Sequence, residues 1–106
     1  MKNKSISNKW LFVISLIIMI FIGCAGGAFR TAQEKNTVEA YNKFIQEYGD
    51  SKFAPQAKKM REDLKFSNAK KENTISGYDR YLKEYPKGTF VSEVNKLREL
   101  NMFENA

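Results

Sequence analysis

The chain has 106 residues and a formal charge of +6, from 18 Lys and Arg against 12 Asp and Glu, with one Cys and no His. That length leaves room for one small domain, a single Cys excludes an intramolecular disulfide, and the lack of His removes the commonest general base and metal ligand. Lys2, Lys4 and Lys9 supply three of the positive charges, so the rest is 15 against 12, too dilute for the basic patch of a nucleic-acid binder but compatible with mild attraction to anionic headgroups.

The first element is an address. Residues 1–9 carry those three Lys and no acid, and an apolar run from Trp10 to Ile22 follows, closed by Gly23-Cys24. A basic head, an apolar middle and a small residue at a cut site make a secretory signal. The apolar run itself is shorter than the roughly 20 residues that cross a bilayer as a helix. Extended to Phe29 across small or weakly polar residues, the same stretch is long enough to span uncut, so an uncleaved signal anchor stays open.

The segment Ile20-Phe21-Ile22-Gly23-Cys24 resembles the lipobox of bacterial lipoproteins. The resemblance implies a diacylglyceryl thioether on Cys24, cleavage in front of it, and membrane anchoring through lipid. Two or three acyl chains hold durably where one holds only marginally. It implies a signal peptide over 1–23, a bacterial envelope location facing the periplasm or the cell exterior, and, because Ala25 rather than Asp follows the Cys, the outer membrane in a Gram-negative cell. Residues 24–28 are expected to be a short linker, and 29–106 a folded domain.

That domain repeats itself at an offset of 37 residues. Phe29, Ala32, Asn36-Thr37, Tyr41, Glu47-Tyr48, Phe53, Lys59 and Arg61-Glu62 recur as Phe66, Ala69, Asn73-Thr74, Tyr78, Glu84-Tyr85, Phe90, Lys96 and Arg98-Glu99. Val38/Ile75, Phe44/Tyr81, Ile45/Leu82, Ala57/Val94 and Met60/Leu97 keep their character. The copies occupy about 29–65 and 66–102.

Within each copy the spacing is helical. Tyr41, Phe44, Ile45 and Tyr48 fall at i, i+3, i+4 and i+7, as do Tyr78, Tyr81, Leu82 and Tyr85. Phe53, Ala57, Met60 and Leu64 form a second stripe, matched by Phe90, Val94, Leu97 and Leu100. Gly49-Asp50-Ser51 and Pro86-Lys87-Gly88 break the helices, and Pro55 fits a first turn, where its missing N–H has no helical partner. Asn36-Thr37 and Asn73-Thr74 predict caps that start the Tyr-bearing helices, with Glu39 three residues after Asn36. The expected elements are helices near 27–35, 37–48, 53–71, 74–85 and 89–103, and no run reads as a strand. The fold class is all-α, about five helices in two tandem helix-turn-helix repeats.

The block Tyr-x-x-Phe-Ile-x-Glu-Tyr-Gly-x-Ser-x-Phe-Ala-x-x-Ala and its second copy resemble tetratricopeptide-like repeats of the kind found in envelope lipoproteins that serve outer-membrane assembly. The resemblance covers about 29–100. The period exceeds the standard 34 residues and the Trp…Leu-Gly…Tyr signature is absent, so stacked hairpins are implied rather than a particular superhelix.

Catalysis has little to stand on. With no His and the one Cys assigned to lipid, His- and Cys-based nucleophile and metal chemistry is excluded. Glu62-Asp63 and Glu47/Asp50 lie among Lys and Arg and read as solvated surface. Gly23, Gly26 and Gly27 follow no strand, so they make no phosphate loop. The Tyr and Phe residues read as core at helical spacing, and Lys58-Lys59, Lys65 and Lys70-Lys71 as a solvated face. No enzyme activity, cofactor, metal, nucleic acid or small-molecule substrate is expected.

Repeats bury their apolar faces only against neighbours, and about three are usually needed for a stable stack. With two, an edge is open to a partner or a second copy. The terminal stripe Leu97, Leu100 and Phe103 is the candidate partner-binding edge. The expected role is a lipid-anchored scaffold or adaptor for another envelope protein or for self-association. The alternatives are a single-span inner-membrane protein with a helical periplasmic domain and an accessory or inhibitory subunit of an envelope enzyme.

Overall fold

Each Tyr-bearing helix begins at a Thr whose backbone is extended and whose hydroxyl accepts an N–H from the first turn. Thr37 takes that of Ala40 at 3.1 Å and Thr74 that of Gly77 at 3.0 Å. The Asn in front of each Thr does something else. Asn36 and Asn73 hold left-handed backbones, φ 47° and 50°, and end the preceding helices with N–H bonds to Ala32 and Ala69. Asn is among the few non-glycine residues that tolerate this conformation. Their side chains then accept the hydroxyls of Tyr41 at 3.2 Å and Tyr78 at 2.7 Å. The expectation that both residues start the next helix is therefore corrected: Asn closes one helix and Thr opens the next. Because Thr37 is the cap, Glu39 falls at the second helical position and acts through the helix dipole rather than through a reciprocal capping box.

These joints connect a computed structural model that describes Trp10, Val13 and residues 24–105. Among the described residues there are five helices and no strand: α1 (described over 24–35), α2 (Val38–Tyr48), α3 (Ala54–Glu72), α4 (Ile75–Glu84) and α5 (Val91–Glu104). The architecture is all-α, as the spacing implies. The signal segment 1–23 lies, apart from Trp10 and Val13, outside the described residues.

Residues 24–28 are not a linker. They are helical, because Ala25, Ala28, Phe29 and Ala32 fall at i, i+3, i+4 and i+7, and that face packs inward. Gly26 and Gly27 do not interrupt it, since the packing of this face outweighs their weak helix preference.

Helices pack on their neighbours in the chain, α2 on α3, α3 on α4 and α4 on α5. The core is two clusters rather than one. Phe29, Ala32, Tyr41, Phe44 and Ala57 bury together, and Phe66, Ala69, Tyr78, Tyr81 and Val94 do so again. Every member of one cluster is 37 residues from its counterpart in the other. The turns repeat as well: Ser51 N–H to Tyr48 O and Ala54 N–H to Ser51 O recur as Gly88 N–H to Tyr85 O and Val91 N–H to Gly88 O.

The long helix α3 belongs to both repeats. Its first half closes the first cluster through Ala57 and Met60, and its second half opens the next through Phe66 and Ala69. Arg61 reaches back from α3 to Asn42 of α2, and Arg98 reaches back from α5 to Asp79 of α4, the same bond one repeat on. Surface ion pairs such as Lys59–Asp63 and Lys70–Glu93 are more than 40% exposed at both side chains and contribute little.

Candidate functional site

The receiving end of each long helix is where repeats join, and aromatic rings make the joint. Phe29 of α1 lies against Phe44 at 5.3 Å and Phe53 at 5.2 Å, and Phe66 of α3 against Tyr81 at 6.0 Å and Phe90 at 4.1 Å. Such offset and edge contacts contribute about 0.5–1.5 kcal/mol each beyond area burial.

The two joints differ in one coordinated way. In the second, Glu62 Oε1 accepts the Tyr81 hydroxyl at 2.7 Å and the Thr89 N–H at 2.6 Å, while the Tyr81 oxygen accepts the Phe90 N–H at 3.2 Å. A Cβ on Gly88 would stand 2.6 Å from Glu62 Oε1 and 2.7 Å from Tyr81 Oη, so this knot needs glycine there. In the first joint the same three places hold Ala25, Phe44 and Ser51. Carboxylate, hydroxyl and glycine have become methyl, ring hydrogen and hydroxymethyl together. Burial first, and the Glu62 carboxylate second, push the Tyr81 hydroxyl far above its ordinary titration range.

Glu62 was expected on a solvated face. It is half-buried instead, and holds the start of α5 to α3. Its companion Asp63 does pair with Lys59 at the surface. The signal that separates them is the three-way change just described, legible only by comparing the copies position by position.

The candidate edge splits. Leu97 is half-buried and packs on the second cluster. Leu100 is 58% exposed and Phe103 81%, with Met102 also exposed beside them. Below them Asn101 is buried, and donates to the main-chain oxygen of Asn73 at 2.7 Å, which ties α5 to the end of α3. Cys24 is exposed, with a free thiol, at the start of the described part of α1.

Among the described residues, open grooves lie between α3 and α4, about 290 Å³, and between α1 and α2, about 160 Å³. Their walls correspond at the repeat offset: Lys65, Asn68, Glu72, Arg80 and Glu84 in one, Ala28, Thr31, Lys35, Lys43 and Glu47 in the other. In the larger, Lys65 bonds Glu84 and Arg80 bonds Glu72, and Glu39 also lines the wall. Among the described residues, no group of three or more His, Cys, Asp or Glu side chains is placed to hold a metal ion, and no helix is long and apolar enough to cross a membrane.

Comparison with protein-family models, with curated proteins and with solved structures finds no match to this chain.

Proposed function

We propose that the chain is a lipid-anchored, non-catalytic helical-repeat scaffold of a bacterial envelope, held to the membrane through Cys24 and binding another envelope protein at its far end. One observation carries the reading: an accessible Cys24 stands on the helix that leads into the first repeat, and an exposed apolar cluster, Leu100, Met102 and Phe103, lies at the end of the last helix. Exposed apolar clusters on a small domain mark interaction surfaces. The lipobox resemblance supplies the anchor, facing the periplasm, on the outer membrane of a Gram-negative cell, or the exterior.

Helical residues from Cys24 onward, with Ala25 buried, support a repeat domain that follows such an anchor without a spacer. The same observation favours the rival, an uncleaved span running into α1. Labelling with a radioactive fatty acid separates the two. Under the proposal, the wild type takes up label and begins at Cys24, while Cys24→Ser takes up none. A span leaves the wild type unlabelled.

A further inference from the structure

Glu99 and Phe103 stand on α5 where Glu62 and Phe66 stand on α3, one repeat earlier. On α3 those two side chains receive the next hairpin: Glu62 takes the Tyr81 hydroxyl and the Thr89 N–H, and Phe66 stacks on Phe90. On α1 Phe29 takes Phe44 and Phe53, and Ala25 stands at the sequence place of Glu62. Phe29 and Phe66 are 6% and 8% exposed, whereas Phe103 is 81% exposed. Ala106, outside the described residues, occupies the place of Ala32 and Ala69 in the sequence.

We infer that the exposed end of α5 is a receiving surface of the repeat type, whose occupant is a helical hairpin of another polypeptide that presents a Tyr to Glu99 and an aromatic ring to Phe103. The inference deepens the scaffold reading and rests on it for its purpose. The surface continues an interface the molecule already uses, in the same register and with the same groups. Choice of Tyr follows from the paired change between copies: Ala25 goes with Phe44 in the sequence, Glu62 accepts the Tyr81 hydroxyl, and Glu99 is again a carboxylate able to accept one. Where α3 has Lys65 bonded to Glu84, α5 has Met102, so the occupant carries an uncharged residue at that place. A second copy of this chain does not fit, because its own Tyr81 and Phe90 are held by its own Glu62 and Phe66.

An in-register extension tests the surface on the full chain in detergent. A second copy of residues 70–106 is appended after Ala106, so that Ala106 takes the place of Ala69. Docking on α5 raises Tm by roughly 5–10 °C, since each added neighbour interface stabilises a stack. Phe103→Ala removes most of that gain and leaves Tm of the unextended chain unchanged. Placing Phe at the appended counterpart of Tyr81 lowers Tm when Glu99 is present, and does so less in Glu99→Ala. An extension that leaves Tm at the parent value, or a Phe103→Ala effect equal in both chains, overturns the inference. So does an unextended chain that sediments as a dimer and is made monomeric by Phe103→Ala, which would assign the surface to a second copy. None of these outcomes depends on lipid at Cys24, so the anchor and the surface fail separately.

Discussion

Converting the second joint into the first is the sharpest perturbation the fold offers. Tyr81→Phe removes a hydroxyl that donates to Glu62 and accepts from Phe90, in a residue only 2% exposed. Hydrogen bonds to charged groups contribute about 1.5–3 kcal/mol. Glu62 keeps the Thr89 N–H at 2.6 Å and some solvent, which puts the loss near the low end, about 1.5–2 kcal/mol. Glu62→Ala strands a buried hydroxyl donor as well as the Thr89 amide, a cost of about 2–3 kcal/mol. The double variant no longer strands the Tyr81 hydroxyl and leaves only the Thr89 and Phe90 amides without their acceptors, so it costs about 2 kcal/mol and the coupling is about 1.5–3 kcal/mol. Adding Gly88→Ser completes the Ala25, Phe44 and Ser51 arrangement and recovers packing in the triple variant. Urea unfolding followed by circular dichroism, on a lipid-free form starting at residue 25, measures all four corners of the cycle. Additivity to within about 0.3–0.5 kcal/mol would refute the account of the joint. Alkaline pH gives the same test by another route. The folded chain holds the Tyr81 proton more tightly than the unfolded chain, whose hydroxyl titrates at its ordinary value of 10.0. That stabilisation is whole below pH 10 and is lost as pH rises above it. Tyr41 shifts the same way through burial, in wild type and variant alike. Stability therefore falls more steeply in wild type than in Tyr81→Phe as pH rises above about 10.

Three further outcomes follow from other contacts. Asn73→Ala loses the acceptor for the Tyr78 hydroxyl and puts alanine in a left-handed backbone, costing about 2–3 kcal/mol by urea unfolding, while Asn73→Gly costs less because glycine tolerates that backbone. Tyr85→Phe removes a buried hydroxyl that bonds to nothing in the protein, and leaves Tm unchanged or raises it, in contrast to Tyr81→Phe. Gly88→Ala forces a Cβ into Glu62 and Tyr81, lowering stability by about 1–3 kcal/mol, and the loss shrinks in a Glu62→Ala background.

The fold was legible because every core position is written twice. Tyr41 and Tyr78, Phe44 and Tyr81, Ala57 and Val94 keep both spacing and apolar character, and helical periodicity in one copy is checked by the other. What escaped is what depends on three dimensions. Asn and Thr both cap helices, and only the backbone says that Asn36 and Asn73 end one while Thr37 and Thr74 start the next. Residues 24–28 read as a linker, yet Ala25, Ala28 and Phe29 carry the helix through on packing. Of the candidate edge, Leu97 turns inward and Phe103 outward, a difference set by the roll of α5 over the second cluster. Glu62 looked like surface because its neighbours are charged. Its partner lies 19 residues away.

The claim that organises the rest is that residue 24 is both the first residue of the mature chain and its anchor. Intact mass spectrometry of the protein extracted from native membranes measures both at once. The account predicts a chain that begins at Cys24 and carries diacylglyceryl there. A chain that begins at Met1 with an unmodified Cys24 thiol contradicts it.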